Sequence, residues 1–365
     1  MLMSAPRLVV KIGSSLLVGE RGGVRREWLA TVAADIAVLA SRGQQMVIVS
    51  SGAIALGARR LKLAKGGRAT LEDAQAAAAT GQIALARAWA EALGAEGLTA
   101  AQLLLTLDDL EDRRRYLNAA TTLARLLALG VVPVINENDS VATEEIRFGD
   151  NDRLAARVAL AAGAQAVLLL SDVEGLYDRP PEETGAALIP EVAALDTLEA
   201  RIGAVGALGT GGMAAKLAAA RLATGAGVAL AIASGREEHP LAHFAETGRG
   251  TLFTPAADAT PARKAWLAAG LTAKGQLVAD AGAVAALRQG KSLLPAGVTG
   301  VRGKFLRGDL VVILDDRGTP VARGLSEYDA EEATRIAGAR SESVAAILGH
   351  APRAALVHRN HMALL

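Results

Sequence analysis

The stretch VVPVINENDSVATEEIRFGDNDRLAARVA, residues Val131–Ala159, joins an apolar strand pattern, a polar loop and the start of a helix in one short segment. Val131–Ile135 has the branched apolar side chains of a buried parallel strand. Asn136–Ser140 then places only polar residues where a strand would normally pass into a short turn. Gly149–Asp152 forms a second polar cluster where the N-cap of a helix over Arg153–Ala162 is expected.

The two polar clusters have an ordinary structural interpretation and a functional one. Asn and Asp are common in turns and at helix caps, so one such residue at each boundary needs no function. Both clusters contain more of them than a turn and a cap require. Beyond the carboxyl end of a strand in an open α/β sheet, such side chains can bind the amino and carboxyl groups of a small ligand. The stretch therefore predicts a ligand-binding site.

Strand patterns alternate with helical patterns on both sides of this stretch, up to about Gly250. The predicted strands are Leu8–Ile12, Met46–Ser50, Ala101–Thr106, Val131–Ile135, Ala166–Ser171 and Val228–Ala233. The predicted helices include Arg26–Ala40 and two alanine-rich segments, Ala74–Ala92 and Met213–Ala223, whose composition reflects helix propensity more than chemistry. This alternation predicts an α/β fold, in which a parallel sheet is sandwiched by helices. The opening MLMSAPRLVVKIG is expected to form the first strand rather than a signal peptide.

The pattern changes after Gly250. Thr254–Lys274 contains two prolines and little strand character, and the elements after it are short and β-rich. Predicted strands there are Gln276–Ala279, Val298–Val301, Leu310–Leu314 and Pro320–Arg323, and predicted helices are Ala281–Arg288 and Asp329–Ile336. We therefore expect a catalytic domain over residues 1–257, a linker over 258–273, a small β-rich domain over 274–353 and a C-terminal tail over 354–365.

Composition excludes several classes of function. The chain has 365 residues, of which 51% are hydrophobic and only 3% aromatic, so its cores must consist of Ala, Leu, Val and Ile. The absence of cysteine excludes disulfides, thiolate metal sites and a cysteine nucleophile. All five histidines lie at His239 or later, which argues against a Ser–His hydrolase or a His-ligated metal centre before that residue. A net charge of +1 and the lack of a long apolar run argue against nucleic acid and membrane partners, and favour a cytoplasmic protein.

Three glycine-bearing loops have the chemistry of phosphate binding. Lys11 and Gly13 close the first strand, Ser51 opens a helix, and Gly209–Gly212 leads into a helix that carries Lys216. Small residues let a polyphosphate approach backbone amides, and a helix N-terminus and a lysine ammonium both attract the anion. For these three loops the respective alternatives are a solvated lysine at a strand end, a simple helix cap and a flexible loop.

Several segments, taken in their order and spacing, resemble the glutamate 5-kinase branch of the amino acid kinase family. They are KIGSS, SSGAIALG, PVINENDSVATEEI, FGDND, SDVEGLY and GTGGMAAK, and the resemblance covers essentially the whole chain. The later segments GKSLLPAGV, FLRGDLV and RIAGARSESVAAILG resemble a PUA domain. In one departure, Ser171 stands where threonine is common before Asp172, and this change keeps the hydroxyl.

The resemblance implies a phosphotransferase with a carboxyl group as acceptor, which uses ATP with Mg²⁺ to convert L-glutamate to L-glutamyl 5-phosphate in proline biosynthesis. It assigns catalytic roles to Lys11, Lys216 and Asp152, of which Asp152 orients the two lysines. It assigns glutamate binding to Ser51, Asn136, Asp139 and Asn151. It assigns ATP binding to Lys11, Gly13, Ser171, Asp172, Thr210, Gly211, Gly212, Met213, Ala214, Ala215 and Lys216. No protein ligand to magnesium is assigned.

The chemistry of the acceptor agrees independently with this assignment. A glutamate side-chain carboxylate has a pKa of about 4.3 and is ionised at neutral pH, so its phosphorylation needs no general base such as histidine. We further expect inhibition by proline, a homo-oligomer, and transfer of the product to glutamyl phosphate reductase. The alternative is an RNA-binding protein that uses the PUA-like domain, with an auxiliary kinase-like half. The near-neutral charge and the few aromatic residues argue against it.

Overall fold

The computed structural model describes residues 2–19, 22–141, 150–193, 195, 212–255, 273–353 and 355–365. The chain divides into two compact units. The first contains Met1–Glu111 and Asn118–Ala256, and the second contains Asp112–Leu117 and Ala257–Leu365. None of the helices in the described ranges combines the length and the apolar character that a membrane crossing needs.

An eight-stranded sheet forms the centre of the first unit, in the order β3-β4-β2-β1-β5-β7-β8-β6. Its strands are β1 Arg7–Ile12, β2 Gln45–Ser50, β3 Ala100–Leu105, β4 Val132–Glu137, β5 Ala166–Ser171, β6 Glu191–Val192, β7 Ala229–Ser234 and β8 Thr251–Phe253. The run from β3 to β7 is parallel, whereas β8 is antiparallel to β7 and pairs in parallel with β6. The predicted strands therefore exist close to their expected positions, and the short strands β6 and β8 at one side of the sheet were not predicted.

Helices connect the parallel strands. They are α1 Ser14–Leu17, α2 Arg26–Ser41, α3 Ala53–Leu61, α4 Leu71–Ala95, α5 Leu107–Glu111, α6 Arg113–Ala128, α7 Asp150–Ala162, α8 Gly212–Gly225 and α9 Pro240–Thr247. Leu8–Ile12 of β1 and all of β5 are buried, as expected for central strands that have helices on both faces. The core contains mainly Leu, Val, Ile and Ala, together with Trp28 and Trp89. The predicted α/β fold with a mostly parallel sheet is thus confirmed.

The second unit contains a five-stranded sheet in the order β10-β9-β11-β12-β13. Its strands are β9 Gly275–Ala279, β10 Val298–Gly303, β11 Leu310–Leu314, β12 Pro320–Ser326 and β13 Val357–Leu364, and its helices are α10 Ala281–Arg288, α11 Ala330–Ile336 and α12 Ser341–Leu348. The residues expected to form a tail, 354–365, include β13, which pairs antiparallel with β12 and contributes the buried Met362 to the core. Almost all of the predicted linker, 258–273, lies outside the described residues.

Helices α3 and α4 pack so closely that two glycines at their contact have no room for a side chain. A Cβ on Gly57 would lie 1.8 Å from the carbonyl oxygen of Ala77, and a Cβ on Gly81 would lie 1.8 Å from that of Ala53. Both obstacles are backbone atoms, which cannot rotate away as a side chain could. The close approach therefore fixes the position of the start of α3 relative to the middle of α4.

We predict that Gly81→Ala lowers the free energy of unfolding by about 1–3 kcal/mol, because the added methyl group forces the two helix backbones apart. Gly94→Ala is the matched control, since Gly94 lies in the same helix and a Cβ added there would meet no neighbouring atom within 4 Å. That change should be neutral or stabilise the protein by up to about 1 kcal/mol, as alanine favours helix. Urea unfolding of both variants checks the prediction, and equal stability of the two would contradict it.

Candidate active site

A cavity of about 300 Å³ lies where four neighbouring strands, β4, β2, β1 and β5, end. Strand β1 occupies the position at which the strand order changes direction, because β2 lies on one side of it and β5 on the other. In open α/β sheets the loops on either side of such a point separate and leave a crevice for a ligand. The topology therefore creates the cavity, and the residues that follow these strands line it.

Most of the predicted site residues line this one cavity. They are Lys11, Gly13, Ser51, Asn136, Asp139, Asn151, Asp152, Ser171, Asp172, Gly212 and Lys216. Met213, Ala214 and Ala215 lie in the first turn of α8, beside Gly212. Thr210 and Gly211 lie outside the described residues. Positions far apart in sequence thus come together as the strand-end interpretation predicted.

Two lysines that line the cavity share one carboxylate. Lys11 Nζ lies 2.5 Å from Asp152 Oδ1, and Lys216 Nζ lies 3.0 Å from Asp152 Oδ2. Asp152 is completely buried, while Lys11 and Lys216 are 6% and 9% exposed. Helix α7 begins at Asp150, so Asp152 lies inside its first turn rather than at the N-cap that the sequence had allowed. Its carboxylate bridges β1 and α8.

The environment of Asp152 holds its pKa below the ordinary value. Burial is the largest influence and by itself would raise the pKa of the carboxyl group. The charges of Lys11 and Lys216, together with their hydrogen bonds, more than offset burial, so the pKa is lowered. Asp152 is therefore an anion at neutral pH, and it keeps both ammonium groups beside the cavity.

A second set of polar side chains around the cavity forms a connected chain of hydrogen bonds. Asn151 Nδ2 donates to Ser51 Oγ at 2.9 Å and to Asn136 Oδ1 at 3.3 Å. Asn136 Nδ2 in turn donates to Gln82 Oε1 at 2.8 Å. Asp139, 7% exposed, lines the same cavity. Together these side chains offer hydroxyl, amide and carboxylate oxygens, which suit the amino group of a small ligand.

A third part of the cavity combines a strand end with a helix start. Ser171 ends β5, and its hydroxyl donates to Asp172 Oδ1 at 3.0 Å. Gly212 begins α8 and lines the cavity one turn before Lys216, and the amide groups in the first turn of a helix have no partner within that helix. Amides and a positive helix end at this place are suited to a phosphate group.

Sequence reasoning missed two residues near the site. Arg68 lines the cavity and follows a short 3-10 segment, Ala64–Gly67, that carried no recognisable motif. Gln82 lies in the alanine-rich helix α4, whose composition was interpreted as reflecting helix propensity more than chemistry. An isolated glutamine in such a helix gives no signal, because its partner Asn136 is distant in sequence. Only the packing of α4 against the sheet brings the two together.

We predict that Asp152→Asn lowers the free energy of unfolding by about 3 kcal/mol at neutral pH, because it leaves two buried ammonium groups without an anion. Since the folded-state pKa of Asp152 is lowered, its stabilisation is present above the ordinary pKa of about 3.9 and is lost as pH falls further. Urea unfolding from about pH 7 to pH 3 should therefore show an acid-dependent loss in the wild type that is smaller in the variant.

Glu91→Gln is the control at neutral pH. It removes exposed ion pairs with Arg26 and Arg87 and should leave stability nearly unchanged. A variant at Asp152 that is as stable as this control would show that the lysine pair does not depend on the carboxylate.

Known proteins are similar to this chain over nearly its whole length. The model of the amino acid kinase family matches residues 6–234, and the PUA domain model matches residues 275–348. Glutamate 5-kinase of Sphingopyxis alaskensis is 64% identical, over 99% of this chain and 98% of that protein. Glutamate 5-kinase of Zymomonas mobilis subsp. mobilis is 59% identical, over 99% of this chain and 92% of that protein.

A more distant similarity concerns solved structures. X-ray structures of isopentenyl phosphate kinase match 68% of this chain at 20% identity, with a TM-score of 0.47. The family model and the two relatives cover nearly all of the catalytic unit and confirm the resemblance that the motifs indicated. This chain therefore belongs to the amino acid kinase family and, within it, to the glutamate 5-kinases.

Proposed function

We propose that this enzyme transfers the γ-phosphoryl group of ATP to the side-chain carboxylate of L-glutamate. The product is L-glutamyl 5-phosphate, and the reaction is the first step of proline biosynthesis. The observation that carries the proposal is the shared cavity, which brings a buried Lys11–Asp152–Lys216 group together with oxygen-rich side chains. The ion group suits a phosphoryl group, and the oxygen-rich side chains suit the amino end of an amino acid.

In the proposed reaction, a carboxylate oxygen of glutamate attacks the γ-phosphorus of ATP. A new bond forms between that oxygen and phosphorus, while the bond from phosphorus to the bridging oxygen breaks and ADP leaves with the electron pair. The attacking carboxylate is already ionised, so no proton has to be removed. This agrees with a cavity in which, among the described residues that line it, there is no histidine.

The two lysines would stabilise charge on the phosphoryl group during transfer. Each ammonium has three hydrogen-bond donors; Lys216 directs one of them to Asp152 Oδ2, and Lys11 forms an ion pair with Asp152 Oδ1. The others remain for phosphate oxygens, because Asp152 orients the ammonium groups without occupying them fully. One carboxylate between two ammonium groups also leaves net positive charge beside the cavity, which favours a polyanion. These features support Lys11 and Lys216 as catalytic residues and Asp152 as the residue that positions them.

ATP would bind along the β5 and α8 side of the cavity. Ser171, Asp172 and the first turn of α8 lie there, which supports their assignment to the nucleotide. Mg²⁺ bound with ATP would neutralise charge on the phosphates. Among the described residues, no group of three or more His, Cys, Asp or Glu side chains could hold a metal ion, so magnesium would be bound mainly by phosphate oxygens and water.

Glutamate would bind with its amino end among Ser51, Asn136, Asp139 and Asn151. The buried carboxylate of Asp139 is a suitable partner for the α-ammonium group. The Oδ1 atom of Asn151 is buried and has no hydrogen-bond partner in the part of the chain that the structure describes. A buried acceptor without a partner costs free energy, and a bound ammonium group is one donor that would satisfy it.

Phosphorylation of glutamate can be tested by trapping the acyl phosphate with hydroxylamine, in assays with ATP and a panel of amino acids. The wild type should form a hydroxamate with L-glutamate, and Lys216→Ala should lower kcat by about a hundredfold or more while glutamate still binds, because transition-state charge is no longer neutralised. Lys291→Ala is the control, since Lys291 is exposed and belongs to the second unit. Near-normal kcat in the variant at Lys216 would remove this residue from the mechanism.

Regulation by proline is part of the same proposal. Proline shares an α-carboxylate and an α-nitrogen with glutamate, so a pocket that binds those two groups can admit the end product of the pathway. We expect proline to compete with glutamate through side chains that include Asp139 and Asn151, with no separate effector site in the PUA domain. Glutamate and proline would then weaken each other's binding by the same factor.

If proline occupies the glutamate site, Asp139→Ala should raise the KM for glutamate and the inhibition constant for proline together, each by about tenfold or more, with little change in the KM for ATP. Initial-rate measurements over a matrix of glutamate and proline concentrations check this. Inhibition that saturating glutamate does not overcome, or a proline constant that stays at its wild-type value, would place the effector elsewhere.

Three further expectations remain predictions. The chain would act as a homo-oligomer in the cytoplasm, and it would supply its product to glutamyl phosphate reductase. RNA binding by the PUA domain stays the alternative function. A salt-sensitive shift of RNA without glutamate-dependent ATP turnover would favour that alternative.

A further inference from the structure

Gln82 connects helix α4 to the amide chain of the substrate cavity. Its side-chain Oε1 accepts a hydrogen bond from Asn136 Nδ2 at 2.8 Å, at the end of β4. Asn136 is only 3% exposed, so this bond is sheltered from water. Gln82 itself does not line the substrate cavity but a neighbouring one of about 320 Å³, which Asn136 also lines. Asn136 therefore forms part of the wall between the two cavities, with Gln82 behind it.

In the structure, the hydrogen bond to Gln82 directs the nitrogen of the Asn136 amide away from Asn151. An amide has an oxygen that only accepts and a nitrogen that only donates. Because the nitrogen of Asn136 is directed to Gln82, its oxygen faces Asn151 and accepts from Asn151 Nδ2 at 3.3 Å. Asn151 Nδ2 also donates to Ser51 Oγ, so its donors are used and its Oδ1 is left as an acceptor.

The opposite arrangement would change the chemistry of the site. If the amide of Asn136 were reversed, its nitrogen would face Asn151, and the oxygen of Asn151 would turn toward it. Asn151 would then present its nitrogen as the remaining group. A site of that kind offers a donor, which suits a carboxylate, whereas the observed polarity offers an acceptor, which suits an ammonium group.

Helix α4 is anchored on both sides of Gln82, which keeps the glutamine at a fixed place. Gly81, the preceding residue, lies against the backbone of Ala53 at the start of α3. Two turns later, the buried Trp89 Nε1 donates to Ser50 Oγ at the end of β2 at 2.9 Å. Both contacts attach α4 to elements that border the substrate cavity. The position of Gln82 is therefore set by the packing of the fold and not by the ligand.

We propose that Gln82 is a positioning residue that fixes the polarity of the Asn136–Asn151 amide pair, so that the site selects acceptors carrying an α-ammonium group. The assignment rests on the proposed function and deepens it, since it concerns how the same cavity recognises the amino end of glutamate. Gln82 acts through Asn136 and Asn151, without contact to the reacting groups.

Glutamate and glutarate together test the assignment, because glutarate is the same dicarboxylate without the amino group. Gln82→Met keeps the length of the side chain and removes the amide acceptor. It should raise the KM for glutamate by about tenfold, the effect of losing one well-placed hydrogen bond to a charged group, while kcat and the KM for ATP stay within about twofold. The KM for glutarate should change little, so the preference for glutamate falls by about tenfold.

Gln82→Glu is the conservative variant that separates positioning from packing. It retains an acceptor oxygen toward Asn136 and should keep the preference for glutamate over glutarate. Gln75→Met is the matched control, because Gln75 lies on the same helix and lines neither cavity. If Gln82→Met does not fold, Gln82→Ala gives the same test, since alanine favours the helix and also lacks the acceptor.

The outcomes distinguish this assignment from the proposed function. An active wild type whose preference for glutamate is unchanged in Gln82→Met overturns the role of Gln82 alone, as does equal loss of preference in the Met and Glu variants. A wild type that neither binds nor phosphorylates glutamate, by calorimetry and hydroxamate formation, overturns the proposed function and this assignment with it.

Discussion

The candidate active site in the first unit depends on one buried carboxylate, that of Asp152, which two buried ammonium groups share. Taking charges out of water is costly, and such a group is tolerated only when its partners lie at hydrogen-bond distance. Asp152 meets this condition at 2.5 Å from Lys11 and 3.0 Å from Lys216. Two positive charges against one negative charge nevertheless leave the group incompletely neutralised. In the proposed function, the phosphoryl group of ATP would supply the missing negative charge, and the residual positive charge of the group would favour its binding.

The parallel sheet is what makes this ion group possible. Lys11, Asp152 and Lys216 come from β1, α7 and α8, which are far apart along the chain. Helix α7 contacts both β1 and α8, so its first turn can present one carboxylate to the two lysines. The buried strands on either side of β1 prevent this arrangement from shifting, because their side chains pack into a continuous apolar core. The chemistry therefore depends on burial that residues outside the site provide.

The sequence predicted those features whose cause is local. Runs of branched apolar residues indicated the central strands. A polar cluster directly after one of them indicated Asn136 and Asp139, and a second cluster at the expected start of a helix indicated Asp152. Features with a non-local cause were missed. Gln82 looks like any residue of an alanine-rich helix until α4 packs on the sheet, and the strand Val357–Leu364 is recognisable only through its pairing with β12. The short strands β6 and β8 likewise have too few residues to show a period.

The spacing of the strands also relates Lys11 to Asn136. Lys11 lies in β1 and Asn136 lies in β4, with β2 between them, and neighbouring strands are about 4.8 Å apart. Two such spacings separate the backbones of these two residues by roughly 10 Å across the sheet. In the proposed function, this distance has to contain the α-groups of glutamate, its methylene chain and the phosphoryl group that it receives. Main-chain hydrogen bonds fix the spacing of strands more rigidly than loops could. The sheet would therefore set the distance that the bound acceptor has to span. The spacing of the strands would then govern both where the amino end of glutamate binds and where its carboxylate meets the phosphoryl group.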